Sequence, residues 1–144
     1  MLRKLLVLCS VGLLSIHVQA QSFLPDEQAF KVLAVMKNPS TVDINWEIQP
    51  GYHMYRNALG FETKDKGVTL KTPVIPKGEV SYNKAVDLTI EQYKDSIHIV
   101  LPIQSKNKFN LILKGQGCAD AGLCYAPFER VVVLDPNLIA KKIK

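Results

Sequence analysis

The chain has 144 residues, 18 Lys and Arg against 13 Asp and Glu, and a net charge of +5, which suits one domain with a mildly basic surface. Its lysines are scattered rather than clustered and no recognition motif accompanies them, so the charge does not point to nucleic acid. No apolar run after residue 20 is long enough to cross a membrane.

The first element in chain order is a leader. Arg3 and Lys4 precede the apolar run Leu5 to Ile16, and Val18 and Ala20 stand at the small-residue positions before a cleavage site. A basic start, a short apolar middle and a small end read as a secretory signal peptide at 1–20, with the mature domain at 21–144. Cys9 would leave with the leader, and Leu8 before it does not suit a lipoprotein site. The mature product is expected outside the cytosol, in an oxidising compartment where disulfides persist.

Pro25–Gln28 reads as a single helical turn, followed by a weak strand candidate from Phe30 to Met36. Val42, Ile44, Trp46 and Ile48 then alternate with Asp43, Asn45, Glu47 and Gln49, which predicts a half-buried strand with Trp46 in the core. Pro50-Gly51 ends it, and Tyr52 to Arg56 continues as a short extended piece. Val68–Lys71 is a second weak strand, while Ala85–Tyr93 fits neither period. Ile97, Ile99, Leu101 and Ile103 make another alternating face, with Pro102 suggesting a strand end or an edge. Phe109, Leu111 and Leu113 alternate up to Gly115-Gln116-Gly117, and Arg130–Leu134 reads as a strand buried on both faces. About seven short strands separated by turn residues predict an all-β fold, an antiparallel β-sandwich of two sheets.

Between the last two strands lies Gly117-Cys118-Ala119-Asp120-Ala121-Gly122-Leu123-Cys124-Tyr125, the only pair of cysteines left after residue 20. Three readings are open from the residues alone. A permanent disulfide would close a seven-residue loop and contribute about 2.4 kcal/mol on the chain-entropy model. A redox-active pair would exchange with partner thiols, helped by the small side chains around it. In that case Asp120 either serves as a local acid or base or only solvates the loop. A metal site would need two further ligands, and His53 and His98 are the only candidates. His98 sits on the polar side of its strand, and no metal or other cofactor is expected.

The cysteine segment, preceded by Gln116, resembles the active-site segment of the N-terminal periplasmic domain of the thiol:disulfide interchange protein DsbD. Phe23–Phe30 resembles the opening of that domain, Trp46 through Gly51–Arg56 its Trp strand and tyrosine-rich turn, and Tyr93–Asp95 the stretch before its later strands. The resemblance implies an immunoglobulin-like sandwich in the periplasm that relays electrons. Its donor would be a membrane-embedded or thioredoxin-like protein. Its acceptors would be a periplasmic disulfide isomerase or a cytochrome c maturation thioredoxin. Cys118 and Cys124 become the catalytic redox pair, with Cys124 resembling the attacking cysteine and Cys118 the resolving one. Tyr55 matches an active-site tyrosine of the family. His53, Asp120 and Tyr125 complete the supporting set, and a monomer is expected.

Some residues depart from the family pattern. His53 stands where a second tyrosine is usual, and Leu123 and Ala126 replace a phenylalanine and a proline. Ser81–Leu88 contains no phenylalanine of the kind that caps the family's cysteines. The relatives also continue into a membrane domain and a second soluble domain, so this chain is expected to be either a free-standing version or a fragment.

Overall fold

Alternation along the chain becomes antiparallel ladders in the computed structural model, which describes residues 22–83 and 87–140. The signal-peptide reading therefore lies outside the described residues. One helical turn, α1 (Asp26–Ala29), leads into β1 (Phe30–Asn38), β2 (Thr41–Ile48) and β3 (Tyr52–Tyr55). A 3-10 turn at Arg56–Ala58 precedes β4 (Gly60–Glu62), β5 (Thr69–Leu70), β6 (Glu79–Asn83) and β7 (Leu88–Tyr93). Then come β8 (Ser96–Gln104), β9 (Phe109–Gly115), β10 (Gly117–Ala119), β11 (Phe128–Leu134) and a closing helical turn, α2 (Pro136–Ala140).

The first sheet has the order β1-β2-β8-β5. The second runs β10-β3-β7-β6 and the third β11-β9-β4. Only Gln116 separates β9 from β10, so these two sheets follow on from each other and pack against the first. The result is an immunoglobulin-like antiparallel sandwich. Its core is what the two-residue period dictates: Val42, Ile44, Trp46 and Ile48 from β2 and Ile97, Ile99, Leu101 and Ile103 from β8 are all buried. Phe109, Leu111 and Leu113 of β9 join them. Phe30 stacks on Phe128 with ring centroids 5.4 Å apart, and Trp46 meets Phe128 at 6.0 Å, which ties the first sheet to the third.

Two expectations change. Arg130–Leu134 is not buried on both faces: within β11, Val131 and Val133 are 63% and 55% exposed. The strand is an edge with one wet side, and a run of three valines carries no alternation from which that could be read. Pro102 lies inside β8, two residues from its end, and β8 is flanked by β2 and β5 rather than forming an edge. The proline is opposite Thr41, the first residue of β2, where that ladder finishes. The ambiguous stretch Ala85–Tyr93 supplies β7 from Leu88 onward, and residues 84–86 of the expected cap region fall outside the described residues.

Candidate functional site

Pairing between β3 and β10 builds the site. The register sets Cys118 opposite His53, Gly117 opposite Met54 and Ala119 opposite Tyr52. Directly opposed residues share a face and the period is two, so Cys118, His53 and Tyr55 point one way while Tyr52 and Met54 enter the core. Gly117 permits this close pairing: a Cβ there would lie 2.4 Å from the His53 carbonyl oxygen and 2.6 Å from the Phe30 ring. Any side chain would push β10 off β3.

The chain then turns through a tight loop. Asp120 N–H donates to the Gly51 carbonyl at 2.8 Å, Gly122 N–H to Ala119 at 2.9 Å, and Ala119 N–H to Leu123 at 2.7 Å. Gly122 has φ +105°, a backbone conformation that favours glycine. Tyr125 N–H returns to the Gly117 carbonyl at 3.0 Å, which closes the loop and brings Cys124 back beside Cys118. The two sulfurs are bonded. Their surroundings differ sharply: Cys118 is 2% exposed, whereas Cys124 lies in an exposed run from Asp120 to Cys124.

A line of polar groups leads away from the buried sulfur. The Tyr55 hydroxyl lies 3.1 Å from Cys118 Sγ, and His53 Nε2 lies 3.3 Å from that hydroxyl. On the other side of the ring, His53 Nδ1 is 2.7 Å from Asp120 Oδ1. Lys94 Nζ stands 4.0 Å from Asp120 Oδ2. Four of the residues singled out in the sequence, Cys118, Tyr55, His53 and Asp120, thus form one connected chain, with Cys124 bonded to its end.

Tyr125 is placed differently. Its hydroxyl donates to the Leu24 carbonyl at 2.5 Å, and the Leu24 N–H donates to the Tyr52 hydroxyl at 2.9 Å. Burial, followed by the hydrogen bond and charge of neighbouring Tyr52 and then the charge of Asp26, pushes the Tyr125 hydroxyl pKa up, so it stays a donor. Tyr125 fastens the end of the cysteine loop to the N-terminal segment and sits edge-on to Phe30 at 5.5 Å.

Three residues to which sequence reasoning gave no role also shape the site. Gln116 Nε2 donates to the Tyr125 carbonyl at 3.0 Å, bracing the loop. Lys94 faces Asp120. Arg56 donates to the Tyr93 hydroxyl and the Pro76 carbonyl at 2.6 and 2.5 Å and holds β3 against β7. Burial raises the Tyr93 pKa, against the Arg56 guanidinium, which pulls it down. A groove of about 570 Å³ opens beside Tyr55, lined also by Arg56, Leu88, Ile90 and Gln116. All three fall in stretches that resemble the family, but only spatial pairing shows what they hold.

His98 sits on β8 in the first sheet with its ring 3.6 Å from Asp43. Among the described residues, no group of three or more His, Cys, Asp or Glu could hold a metal ion. No helix among them is long and apolar enough to cross a membrane.

Comparison with known proteins agrees with this geometry. Residues 20–136 match the family model described as thiol:disulfide interchange protein DsbD, N-terminal. The chain is 32% identical over 133 residues to the DsbD of Ralstonia nicotianae, covering 91% of this chain and 22% of the relative. It is 36% identical over 112 residues to DsbD 2 of Pseudomonas aeruginosa, covering 78% and 18%. The chain therefore spans about a fifth of the length of these curated relatives. Among solved structures, it is similar to the reduced N-terminal domain of Neisseria meningitidis DsbD, with a TM-score of 0.68, 26% identity, and coverage of 78% of this chain and 89% of that one. It is equally similar in sequence, at 26% identity, to the complex between the DsbD and PilB N-terminal domains of the same organism. There the TM-score is 0.65 and coverage is 79% and 88%. With the family match running from residue 20 through β11, and a cysteine loop held as described, the chain belongs to the DsbD N-terminal domain family.

Proposed function

We propose that this domain relays electrons in the periplasm by thiol–disulfide exchange through Cys118 and Cys124, acting as a protein-disulfide reductase without a small-molecule substrate. The observation that carries the reading is the asymmetry of the pair: Cys124 lies in the exposed run of the loop, whereas Cys118 is 2% exposed. Exchange needs a sulfur that a partner can reach and a second one held ready behind it. In the reduced domain, the Cys124 thiolate attacks the disulfide of an oxidised partner and forms a mixed disulfide, releasing the partner's other thiolate. Cys118 then attacks Cys124 Sγ. The Cys118–Cys124 bond forms, the bond to the partner breaks, and the partner leaves with two more electrons.

Electrons would enter by the reverse exchange, from a membrane-embedded or thioredoxin-like donor. They would leave to disulfide isomerases or cytochrome c maturation thioredoxins of the periplasm. The complex formed by the Neisseria relative with the PilB N-terminal domain supports a protein rather than a small molecule as partner. An inert staple is a poorer account. The bridge spans only six positions, from β10 to its own loop, and the buried core is built from both layers of the sandwich without it.

Cys118→Ser tests the reading. With no resolving sulfur, Cys124 should hold its partner as a stable mixed disulfide, recoverable from periplasm on a non-reducing gel and released by dithiothreitol. If this variant captures no protein thiol, while the same search made with Cys124→Ser does, the roles of the two sulfurs are reversed. If neither captures anything, the exchange reading fails.

A further inference from the structure

The buried position of Cys118 creates a chemical problem that the exchange reading leaves open. To resolve the mixed disulfide it must act as a thiolate, yet a sulfur that is 2% exposed receives little stabilisation of that charge from water. Its proton needs a route out, and the side chains on this face of β3 and β10 supply one.

Resting on that exchange reading, we infer that Tyr55, His53 and Asp120 form a proton relay that takes the proton from Cys118 as it attacks and returns it when Cys118 leaves. The polarity of the contacts fixes the direction. Asp120 accepts from His53 Nδ1–H at 2.7 Å, which leaves Nε2 with its lone pair facing the Tyr55 hydroxyl at 3.3 Å. The Tyr55 oxygen, 3.1 Å from Cys118 Sγ, can then accept from the thiol while its own O–H donates to Nε2. A disulfide sulfur carries no proton and can only accept, so the Tyr55–Cys118 contact reverses when the pair oxidises.

The step balances. As Cys118 attacks Cys124 Sγ, its thiol proton passes to Tyr55 oxygen and the Tyr55 proton passes to His53 Nε2. The Cys118–Cys124 bond forms and the partner thiolate departs with the bonding electron pair. The imidazolium left at His53 is held by the Asp120 carboxylate and gives its proton to the departing thiolate or to water. Reduction of the domain runs the sequence backwards. Tyr55 is the group in contact with the reacting sulfur, and His53 and Asp120 act through it. Lys94 Nζ stands 4.0 Å from the second Asp120 oxygen, on the side away from the ring contact. The arrangement has the logic of a nucleophile, a base and an orienting acid, with a tyrosine spliced between nucleophile and base.

Stopped-flow reaction of the reduced domain with 5,5′-dithiobis(2-nitrobenzoate) separates the two steps, because attack by Cys124 releases the first nitrothiobenzoate and resolution by Cys118 the second. In His53→Ala the first release should stay within about twofold of the parent, and the second should slow by about 10²-fold, the lower end of what a positioned proton acceptor supplies. Added imidazole should restore much of the second rate. Tyr55→Phe should slow the same step and resist imidazole, because the link to the sulfur is missing. His53→Gln, which keeps the ring's approximate volume and a hydrogen bond without accepting a proton, guards against a folding artefact and should slow the second release as His53→Ala does, without rescue by imidazole. A second release unchanged in both His53 variants overturns the relay, as does slowing of both releases together or slowing in His53→Ala that imidazole does not relieve. If the parent domain itself shows no first release, the exchange reading falls instead.

Discussion

Replacing Cys124 with serine is expected to abolish electron transfer to protein disulfides while leaving the sandwich folded. Of the two cysteines, Cys124 lies in an exposed run, whereas Cys118, 2% exposed, stays behind Tyr55 and the loop. A serine hydroxyl is no substitute, because its pKa keeps it protonated and exchange proceeds through a sulfur anion. Transfer should therefore fall below detection rather than by a modest factor. The cost to stability is bounded by the short loop that the bridge closes, about 2.4 kcal/mol on the chain-entropy model. The check is the rate at which the reduced variant reduces a thioredoxin-like domain, with circular dichroism confirming the strands. A variant that transfers electrons at the parent rate would remove Cys124 from the mechanism.

Trp46→Ala should produce the largest loss of stability of any single substitution considered, about 3–5 kcal/mol. The indole is fully buried on β2 and leans on Phe128, which stacks on Phe30; Phe30 in turn meets Tyr52 and Tyr125 edge-on. Emptying that position removes support from both layers at once, and against a total of about 5–15 kcal/mol it takes a large share. Trp46 Nε1 has no hydrogen-bond partner among the described residues, so Trp46→Phe also removes an unsatisfied donor and should cost much less. Urea denaturation reads the difference as a shift in midpoint at constant slope. A loss below about 1 kcal/mol for the alanine variant would mean that the two sheets do not depend on this contact. The effect should reach the redox loop, because Phe30 is also the ring against which Gly117 is seated.

The sandwich was legible wherever one face of a strand is wet. Val42–Ile48, Ile97–Ile103 and Phe109–Leu113 alternate cleanly and became β2, β8 and β9. Val131 and Val133 misled because β-branched runs look alike whether or not their second face is covered. Short strands were missed for another reason. Gly117-Cys118-Ala119 carries no period, and β10 exists because Gly117 lets it settle against β3, more than sixty positions earlier. The cysteines were visible as a pair, but their spacing left staple, redox pair and metal ligand all open. The resemblance to DsbD, and then the unequal exposure of the two sulfurs, favoured exchange. Asp120 read more readily as a solvated loop residue than as an acid or base, and its contact with His53 depends on the turn after β10. Lys94 and Gln116 lay in stretches that resemble the family but had no legible role, since a lysine after a strand and a glutamine between two glycines are ordinary until the fold brings their partners near.

The reduction potential of the Cys118–Cys124 couple, measured by equilibration with glutathione buffers, tests the exchange account most directly. Oxidoreductase couples lie between about −120 and −270 mV, and the account predicts a value inside that span. Structural bridges of exported proteins lie below about −300 mV. A couple found there would be a staple, and the domain would not carry electrons.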